Sequence, residues 1–446
     1  MGVLYFCKQK QRTEMNGIFI RLKSLWLALA AIVAATGAWA QGWDTMPQER
    51  AARLFAEAQR VCDADGGRLW GENIWGEVVL VRDADKLAFC NDARLLNGAR
   101  EVGELYCGTL DSNLVVAGNA ARLRGVDVAI VPMFEMSDSA LVEVFVHELF
   151  HRFQNRHYGS DEMVYDNAHV DTKAGRTLVL CELAELAKAL EGDGTERCEH
   201  VEKALGFRAW RRTLFVGKDR DECRFEFQEG LALYTQYRLC LRDSAKVAQQ
   251  LGQDVGRLMT APNLSRQYGY YMGAMYACLN DVDATWRNEV TPTMDLGERV
   301  RRIYGVGMTG TVDTLALKRT DSYAEVMRVV DTLEAARMAL KEMVRRKMET
   351  NNVVWLQAED YQMGFNPACV TGLEEMGNFF SVIELKGEFG RIYSEYGCVI
   401  SGHPMLIIPE GTKSMRKKTK GFAIELSGGW RLRRCDKGYD VVRKGL

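Results

Sequence analysis

The most informative stretch of the chain is LVEVFVHELFHRFQNRH, residues 141–157, which contains three of the six histidines. Apolar residues occur on nearly every side of its helical projection, so we predict a helix that lies in a core. Residues 137–139, Ser-Asp-Ser, can cap its start, because each offers a side-chain oxygen to the free amides of the first turn. Buried histidines need polar partners. The spacing of His147 and His151 indicates that the two share one partner.

His147 and His151 are four residues apart, so on an α-helix their side chains lie on one face about one turn apart. At that spacing both imidazoles can bind a single Zn²⁺, and Glu148 can reach a water molecule on the metal. Zinc lowers the pKa of such a water to roughly 7, and the carboxylate can take its proton and later give it to a leaving amine. This is the chemistry of peptide hydrolysis. The alternative is a pair of core histidines held by backbone acceptors, with Glu148 paired elsewhere.

The His-Glu-x-x-His motif at 147–151 resembles the one that binds zinc in the zincin metallopeptidases. Further along, FQEGLALY at residues 227–234 looks like the Asn-Glu-Gly-x-Ala segment of gluzincins of the thermolysin-like aminopeptidase kind. The resemblance implies that Glu229, on a second helix packed beside the first, is the third zinc ligand and leaves one position open for water. It also implies a zincin-like catalytic core with Glu148 as the general base.

A second branch of the same family has a different third ligand. His157 stands at the metzincin distance, where the pattern is H-E-x-x-H-x-x-G-x-x-H, but Gln154 occupies the place of the glycine that ends the helix. Glutamine adopts the left-handed turn poorly, and if the helix continues, His157 points away from the metal. Gln154 could then accept a hydrogen bond from a ligating imidazole.

Other carboxylates compete with Glu229 for the third position. Glu182 lies inside an apolar helical run, where a charged group needs a partner. Glu222 and Glu226 share a helical face with Glu229. Glu182 and Asp171 are also candidates to orient the ligating imidazoles, because metal-bound histidines donate their other N–H to an acceptor.

Two further residues are candidates to act on the substrate. Tyr270 lies in the aromatic cluster YGYYMG at 268–273, and a phenol can donate a hydrogen bond to the oxyanion that develops during peptide hydrolysis. The alternative for Tyr270 is packing in an aromatic core. His169 lies in the polar segment DNAHVD at 166–171, where it could stabilise the oxyanion, bind substrate, or be a surface histidine.

The composition is that of a folded globular protein. The chain has 446 residues, of which 47% are hydrophobic and 26% charged, with 58 Lys and Arg against 60 Asp and Glu. Its formal charge of −2 removes the usual electrostatic case for a nucleic-acid partner. At roughly 100 to 200 residues per domain, the length suggests two or three domains.

Residues 1–40 are predicted to be a secretory signal peptide. Arg21 and Lys23 precede an apolar run at 25–35, and Ala-Trp-Ala at 38–40 supplies a small-x-small cleavage signal. The run is shorter than the roughly 18 to 20 residues of a membrane-spanning helix. We therefore expect cleavage after this triplet, a periplasmic or extracellular protein, and no membrane span after cleavage.

Three regions follow the leader, and together they predict an α+β fold. Residues 41–135 combine a helix at about 48–62 with a small twisted sheet that belongs to the catalytic core. Residues 136–351 are helical almost throughout and end in a helix whose capping box starts at Ser322. Residues 352–446 alternate short strands with glycine-rich turns and predict a separate C-terminal β module. The strands predicted for the first sheet include 78–81, 114–116 and 128–131.

The cysteines give no fixed framework. The chain has 12 of them and no C-x-x-C pair, so the pattern matches neither a zinc ribbon nor a disulfide-dense scaffold. Export permits disulfides such as one between Cys90 and Cys107. Cysteines in apolar helical patterns, such as Cys181, are typical of small buried hydrophobic residues.

The sequence therefore predicts an exported single-zinc peptidase of the gluzincin type that hydrolyses a peptide or protein. His147, His151 and Glu229 would hold the zinc, and Glu148 would be general base and acid. Two alternatives keep the zinc: a metzincin-like site with His157 as third ligand, and hydrolysis of another amide. A further alternative is a non-catalytic, zincin-derived protein whose β module holds a partner, although such a protein has no need of a base beside the metal.

Overall fold

The computed structural model describes residues 48–82, 85–111, 118–133, 136–159, 166–307, 312–365, 369–412 and 419–445. The predicted signal peptide lies outside these ranges, as does the strand predicted at 114–116. The described chain is a mixed α+β protein, with a sheet, a helical middle and a C-terminal β-rich region. Within these ranges no helix is both long and apolar enough to cross a membrane.

A six-stranded sheet forms the first layer of the N-terminal half. Its strands are β1 (Val78–Val81), β2 (Leu87–Cys90), β3 (Asn97–Val102), β4 (Leu105–Thr109), β5 (Asn119–Leu123) and β6 (Val126–Pro132). The order across the sheet is β3-β4-β2-β1-β6-β5. β1 and β6 run parallel, and the other neighbours are antiparallel. Among the described strands, β5 has a neighbour on one side only, so it forms an edge of the sheet.

Helices cover one face of this sheet. The first two, α1 (Gln48–Asp65) and α2 (Asp138–Tyr158), share a hydrophobic core with strand residues such as Leu80 and Val131. The helices that complete the middle region are α3 (Lys173–Glu191), α4 (Gly194–Leu214), α5 (Asp219–Phe225), α6 (Leu231–Leu241), α7 (Ser244–Leu258), α8 (Tyr268–Asn280), α9 (Leu296–Ile303), α10 (Thr314–Leu317) and α11 (Asp321–Glu349). Their buried side chains belong to the same core, so the sheet and the helices fold as one unit.

The C-terminal region is a β-sandwich. Its strands are β7 (Val353–Leu356), β8 (Gln362–Phe365), β9 (Val370–Gly372), β10 (Asn378–Phe380), β11 (Ile383–Gly387), β12 (Gly390–Ser394), β13 (Cys398–Ser401), β14 (His403–Ile407), β15 (Phe422–Leu426), β16 (Trp430–Cys435) and β17 (Gly438–Arg443). One sheet has the order β16-β17-β7-β14-β13-β10-β9 and the other β15-β12-β11-β8. Side chains such as Leu356 and Leu385 fill the core between the two sheets. The end of α11 packs through Val344 on the outer face of the larger sheet.

Of two helix N-caps predicted from the sequence, one is present in the structure and one is not. Ser137 caps α2 as predicted, since its hydroxyl accepts a hydrogen bond from the amide of Ala140. The capping box predicted at Ser322 is wrong, because α11 begins two residues earlier with Thr320 as its cap. Ser322 is buried inside the first turn, and its hydroxyl donates to Glu185 instead.

The disulfide suggested between Cys90 and Cys107 is also wrong. The register of β2 and β4 places Cys107 opposite Phe89, so Cys90 points to the other face of the sheet. The two thiols accordingly belong to different cores. The cysteines in the described ranges are all free.

Candidate metal centre

Three of the predicted site residues come together between α2 and the segment that leads into α6. The Nε2 atoms of His147 and His151 are 3.2 Å apart, and each lies 3.4 Å from Oε2 of Glu229. The group could hold a metal ion, because its ligand atoms all lie within 4.8 Å of one another. The two histidines are more than nine-tenths buried, whereas the Glu229 side chain is 16% exposed. The cluster is therefore largely buried, and the side chains of His147 and Glu229 each keep a small exposed fraction.

The helix α2 places two of these ligands because it remains α-helical from Asp138 to Tyr158, without a break at Gln154. Residues four apart then stay on one face, which brings His147 and His151 together. The third histidine of the motif is not part of the cluster. Nε2 of His157 lies 3.0 Å from Oε1 of Glu72, in an exposed contact.

Glu229 reaches the histidines from a π-helical turn at Glu226–Gly230, which we call the π turn. The amide of Leu231 donates to the carbonyl of the first residue of the turn, five residues back. Such turns occur frequently at functional sites, since they re-aim side chains within a helix. Gly230 allows the turn to lie against α8, because a Cβ there would come within 2.5 Å of the Cα of Gly273. The glycine after the ligand thus permits the close packing that places Glu229.

The His147 ring is oriented by a glutamine that sequence reasoning missed. Its Nδ1 lies 3.2 Å from Oε1 of Gln236, and the amide nitrogen of Gln236 donates to Glu143 at 3.1 Å. An acceptor on Nδ1 keeps the proton on that nitrogen and leaves Nε2 free for a metal. Gln236 follows Glu229 by seven residues, about two helical turns, so the same helical face supplies both groups.

The His151 ring is oriented from α2 itself. Oε1 of Gln154 lies 2.8 Å from Nδ1 of His151, and the Gln154 amide donates to the carbonyl of Phe227 at 2.8 Å. Gln154 therefore contacts an imidazole of the motif, as the sequence suggested, and it also connects α2 to the π turn. The amide nitrogen of Gln228 lies 3.0 Å from the same ring nitrogen, so two glutamines face Nδ1.

Glu148 lies beside the cluster in an unusual environment. The residue is 5% exposed, and its Oε2 has no hydrogen-bond partner among the described residues. Its Oε1 lies so close to Gly118, just before β5, that a Cβ at that position would overlap it. Burial raises the pKa of Glu148 above its usual value. A buried carboxylate with a raised pKa beside such a cluster is a candidate functional group.

The donor set fits a zinc ion. Two imidazole nitrogens and one carboxylate oxygen are ligands that zinc prefers, and tetrahedral bonds of about 2.0 to 2.1 Å place ligand atoms about 3.3 to 3.4 Å apart. The cluster shows separations of 3.2 to 3.4 Å. Electrostatics favour a cation too: burial opposes the charge on His151, but Glu229 outweighs burial and raises the pKa of His151 to about 9. Burial likewise opposes the charge on Glu229, yet the two histidines hold its pKa far below the usual range.

Tyr270 also lies at the cluster. Its ring is parallel to that of His147 within 16°, with the centroids 5.8 Å apart. The ring of Phe225, the last residue of α5, packs edge-on against the Tyr270 ring, with the centroids 5.9 Å apart. The phenol is thus held beside a metal ligand by its neighbours.

His169 and Asp171 are engaged elsewhere. Nε2 of His169 lies 2.9 Å from Oε1 of Glu222, and the ring is buried. Asp171 accepts from Arg176 at 2.9 Å and from the amide of Leu264 at 2.7 Å. His169 is a buried hydrogen-bond partner of Glu222 and does not belong to the cluster of His147, His151 and Glu229.

The rival carboxylates bind arginines. Arg208 takes both oxygens of Glu226, at 2.7 and 2.9 Å, and also contacts Glu182. Arg211 takes both oxygens of Glu222 and pairs with Glu182. Glu229 is the carboxylate of this group that faces the histidines.

Comparison with protein-family models, with curated proteins and with solved structures gave no match to this chain.

Proposed function

We propose that the protein is a zinc-dependent peptidase with a zincin-like site. His147, His151 and Glu229 would hold the ion, and the observation that carries the proposal is their convergence at separations that suit zinc. Glu148 beside them, whose buried Oε2 has no hydrogen-bond partner in the described part of the chain, supports an enzyme over a binding protein, because a binding site needs no base there.

Zinc, when bound, supplies a Lewis acid that lowers the pKa of a water molecule to roughly 7 and polarises a carbonyl group. Glu148 would accept a proton from the attacking water, and its raised pKa suits a group that must later release that proton to the leaving amine. The amide oxygens of Gln236 and Gln154 lie against Nδ1 of His147 and of His151 and orient the two rings. Tyr270 donates to the oxyanion from beside His147.

An extended peptide is the substrate that the neighbourhood of Glu148 suits. The edge strand β5 begins next to Gly118, whose backbone lies against the Glu148 carboxylate. Its outer edge carries main-chain groups that β6 does not use, and an extended peptide can pair with such an edge. A peptide that adds to β5 would bring a main-chain carbonyl to the cluster.

The test is metal analysis of the purified chain together with cleavage of a peptide library. We expect about one zinc per chain, cleavage that stops with a chelator and returns with zinc, and products that carry new amino termini. A chain that binds zinc stoichiometrically but cleaves no library member would contradict the peptidase assignment. A chain that binds no zinc would contradict the metal site itself.

A further inference from the structure

A group of buried charged side chains lies next to the π turn and has no part in the proposed chemistry. It is a set of buried charges, which we call the arginine cluster: Arg208, Arg211, Arg212, Glu182, Glu222, Glu226 and Asp295. Arg208 and Arg211 are at most 3% exposed, and their three glutamates at most 1%. Removing charges from water is unfavourable, and pairing them in the interior only offsets that cost, so buried ion pairs of this kind contribute little net stability. The cluster therefore calls for a role besides stability.

One member of the arginine cluster belongs to the π turn itself. Glu226 is the first residue of the turn, and Glu229, the metal ligand, is the fourth. In a regular α-helix these two side chains would lie only about 60° apart, on the same face. In the protein Glu226 points to Arg208 on α4, whereas Glu229 points to His147 on α2. The wider π turn is what separates the two carboxylates.

The π turn is held by two kinds of contact: the backbone of α8 packs closely against Glu226 and Gly230, and an ion pair holds the Glu226 side chain. At Gly230 the backbone of α8 packs so closely that no side chain fits between them. At Glu226 the Arg208 fork bonds both carboxylate oxygens, and Arg208 itself is fixed by Glu182 on α3. Tyr276 on α8 donates to the same Glu182 at 2.7 Å. The ion pair thus anchors the start of the turn to a rigid layer of three helices.

We propose that Arg208 is a positioning residue for the metal site, acting through Glu226 to keep the π turn in the geometry that points Glu229 at the histidines. The inference rests on the metal site proposed above. A merely structural pair would lower stability when removed, but it would leave the metal affinity of the folded protein unchanged. A positioning pair lowers the metal affinity as well, because Glu229 no longer starts from the bound geometry.

The test uses the full chain with two matched double variants. Arg208→Gln with Glu226→Gln removes the pair that touches the π turn, and Glu182 keeps Arg211 and Tyr276 as partners. Arg211→Gln with Glu222→Gln is the control, which removes an equally buried pair whose acid lies on α5, outside the turn. Each double variant removes one positive and one negative charge, so the net charge of the protein is unchanged. Zinc affinity is measured by competition with a chelator, the coordination by the visible spectrum of the Co²⁺-loaded protein, and folding by thermal unfolding.

We expect both double variants to unfold at lower temperature, and only the Arg208/Glu226 variant to bind zinc about 10- to 100-fold more weakly, with an altered Co²⁺ spectrum. Arg208→Lys is a second variant for the case that the double variant does not fold. It keeps the charge but loses the two-point contact with Glu226, so it should weaken zinc binding in the same direction.

Two results would overturn the inference alone: wild-type zinc affinity in folded Arg208 variants, or an equal loss of affinity in the Arg211/Glu222 control. Failure of the unaltered chain to bind any metal would overturn the proposed function, and the positioning role with it. Weaker binding confined to the Arg208 variants supports the role.

Discussion

At the scale of single residues, the candidate site separates its tasks among neighbouring groups. Three residues offer candidate metal ligands, and three glutamine side chains contact Nδ1 of the two imidazoles. The buried Oε2 of Glu148 has no hydrogen-bond partner among the described residues, and its Oε1 lies against a glycine that leaves room for it. This division predicts that metal binding and hydrolysis can be lost separately.

Replacing Glu148 with Gln should abolish hydrolysis and leave the zinc in place. The amide cannot accept a proton, and loss of a positioned general base costs on the order of 10² to 10⁴ in rate. Cleavage of a library-derived peptide and the zinc content are measured on the same preparation. Glu185→Gln is the control, since Glu185 is equally buried but pairs with His200. Full activity in Glu148→Gln would place the chemistry elsewhere.

Replacing His151 with Ala should reduce bound zinc to a small fraction of one per chain, because two ligands remain where zinc needs at least three. His157→Ala is the matched control on the same helix. Its ring contacts Glu72 in an exposed pair, so its loss should leave the zinc content unchanged. Metal analysis after dialysis distinguishes the two variants. Zinc loss in His157→Ala would favour the metzincin-like arrangement.

Zinc affinity should rise with pH between about 7 and 9. The pKa of His151 is raised to about 9 in the metal-free chain, so the ring is protonated at pH 7 and must lose a proton before it binds metal. One competing proton changes the apparent affinity about tenfold per pH unit, and the dependence should level off above about 9. The same protonation stabilises the metal-free fold below about pH 6.5 and is lost as the pH rises through 9. Chelator competition across this range is the measurement, and a flat profile would contradict the prediction.

At the scale of elements, the candidate metal site depends on how the π turn packs between two helices, α2 and α8. The π turn lies against α8 at Gly230 and Gly273, and α2 bonds the turn through Gln154. Glu229 is therefore placed by backbone packing as much as by its own helix. A side chain inserted at this contact should displace the ligand.

Gly230→Ala is the substitution that tests this contact. The new Cβ would lie 2.5 Å from the Cα of Gly273, a backbone atom that cannot move aside. We expect a loss of about 1 to 3 kcal/mol in the free energy of unfolding and weaker zinc binding. Gly256→Ala on α7 is the control, because nothing lies within 4 Å of its added Cβ. There the change should stabilise the protein by about 0.5 to 1 kcal/mol and leave zinc binding unaltered, in denaturant unfolding and chelator competition.

At the scale of the whole molecule, α11 joins two separate hydrophobic cores. Val326 and Val330 belong to the core of the sheet and helices, whereas Val344 belongs to the core under the β-sandwich. Lys341 pairs with Glu374 and so ties the end of the helix to the sandwich. In the described residues the segment between Val330 and Lys341 contributes no fully buried side chain.

Calorimetry should therefore resolve two unfolding transitions, and zinc should raise the temperature of only one. A ligand stabilises the unit that binds it, by about 2.7 kcal/mol at a hundredfold excess over the dissociation constant. The unit that contains His147 should shift, and the β-sandwich should not. A chain that ends at Glu349 tests the assignment, because it should keep the zinc-sensitive transition. One transition that shifts as a whole would show that the two cores unfold together.

The sequence by itself determined the features that depend on local spacing. Residues four apart on a continuous helix must share a face, so His147 and His151 were paired by the period of the α-helix alone. The strands at 78–81 and 128–131 followed from apolar runs bounded by turn residues, and the β-rich region after α11 followed from short strands between glycine-rich turns. The α+β class followed from the order of these regions.

Tertiary structure decided which of several glutamates faces the histidines. Glu222, Glu226 and Glu229 are equivalent on a helical projection, and only the arginines of α4 and the π turn separate them. Gln236, Gly118 and the Glu222 partner of His169 were likewise invisible, because each depends on a contact between residues distant along the chain. Spacing fixes a face of a helix, but what that face meets depends on how the helices pack.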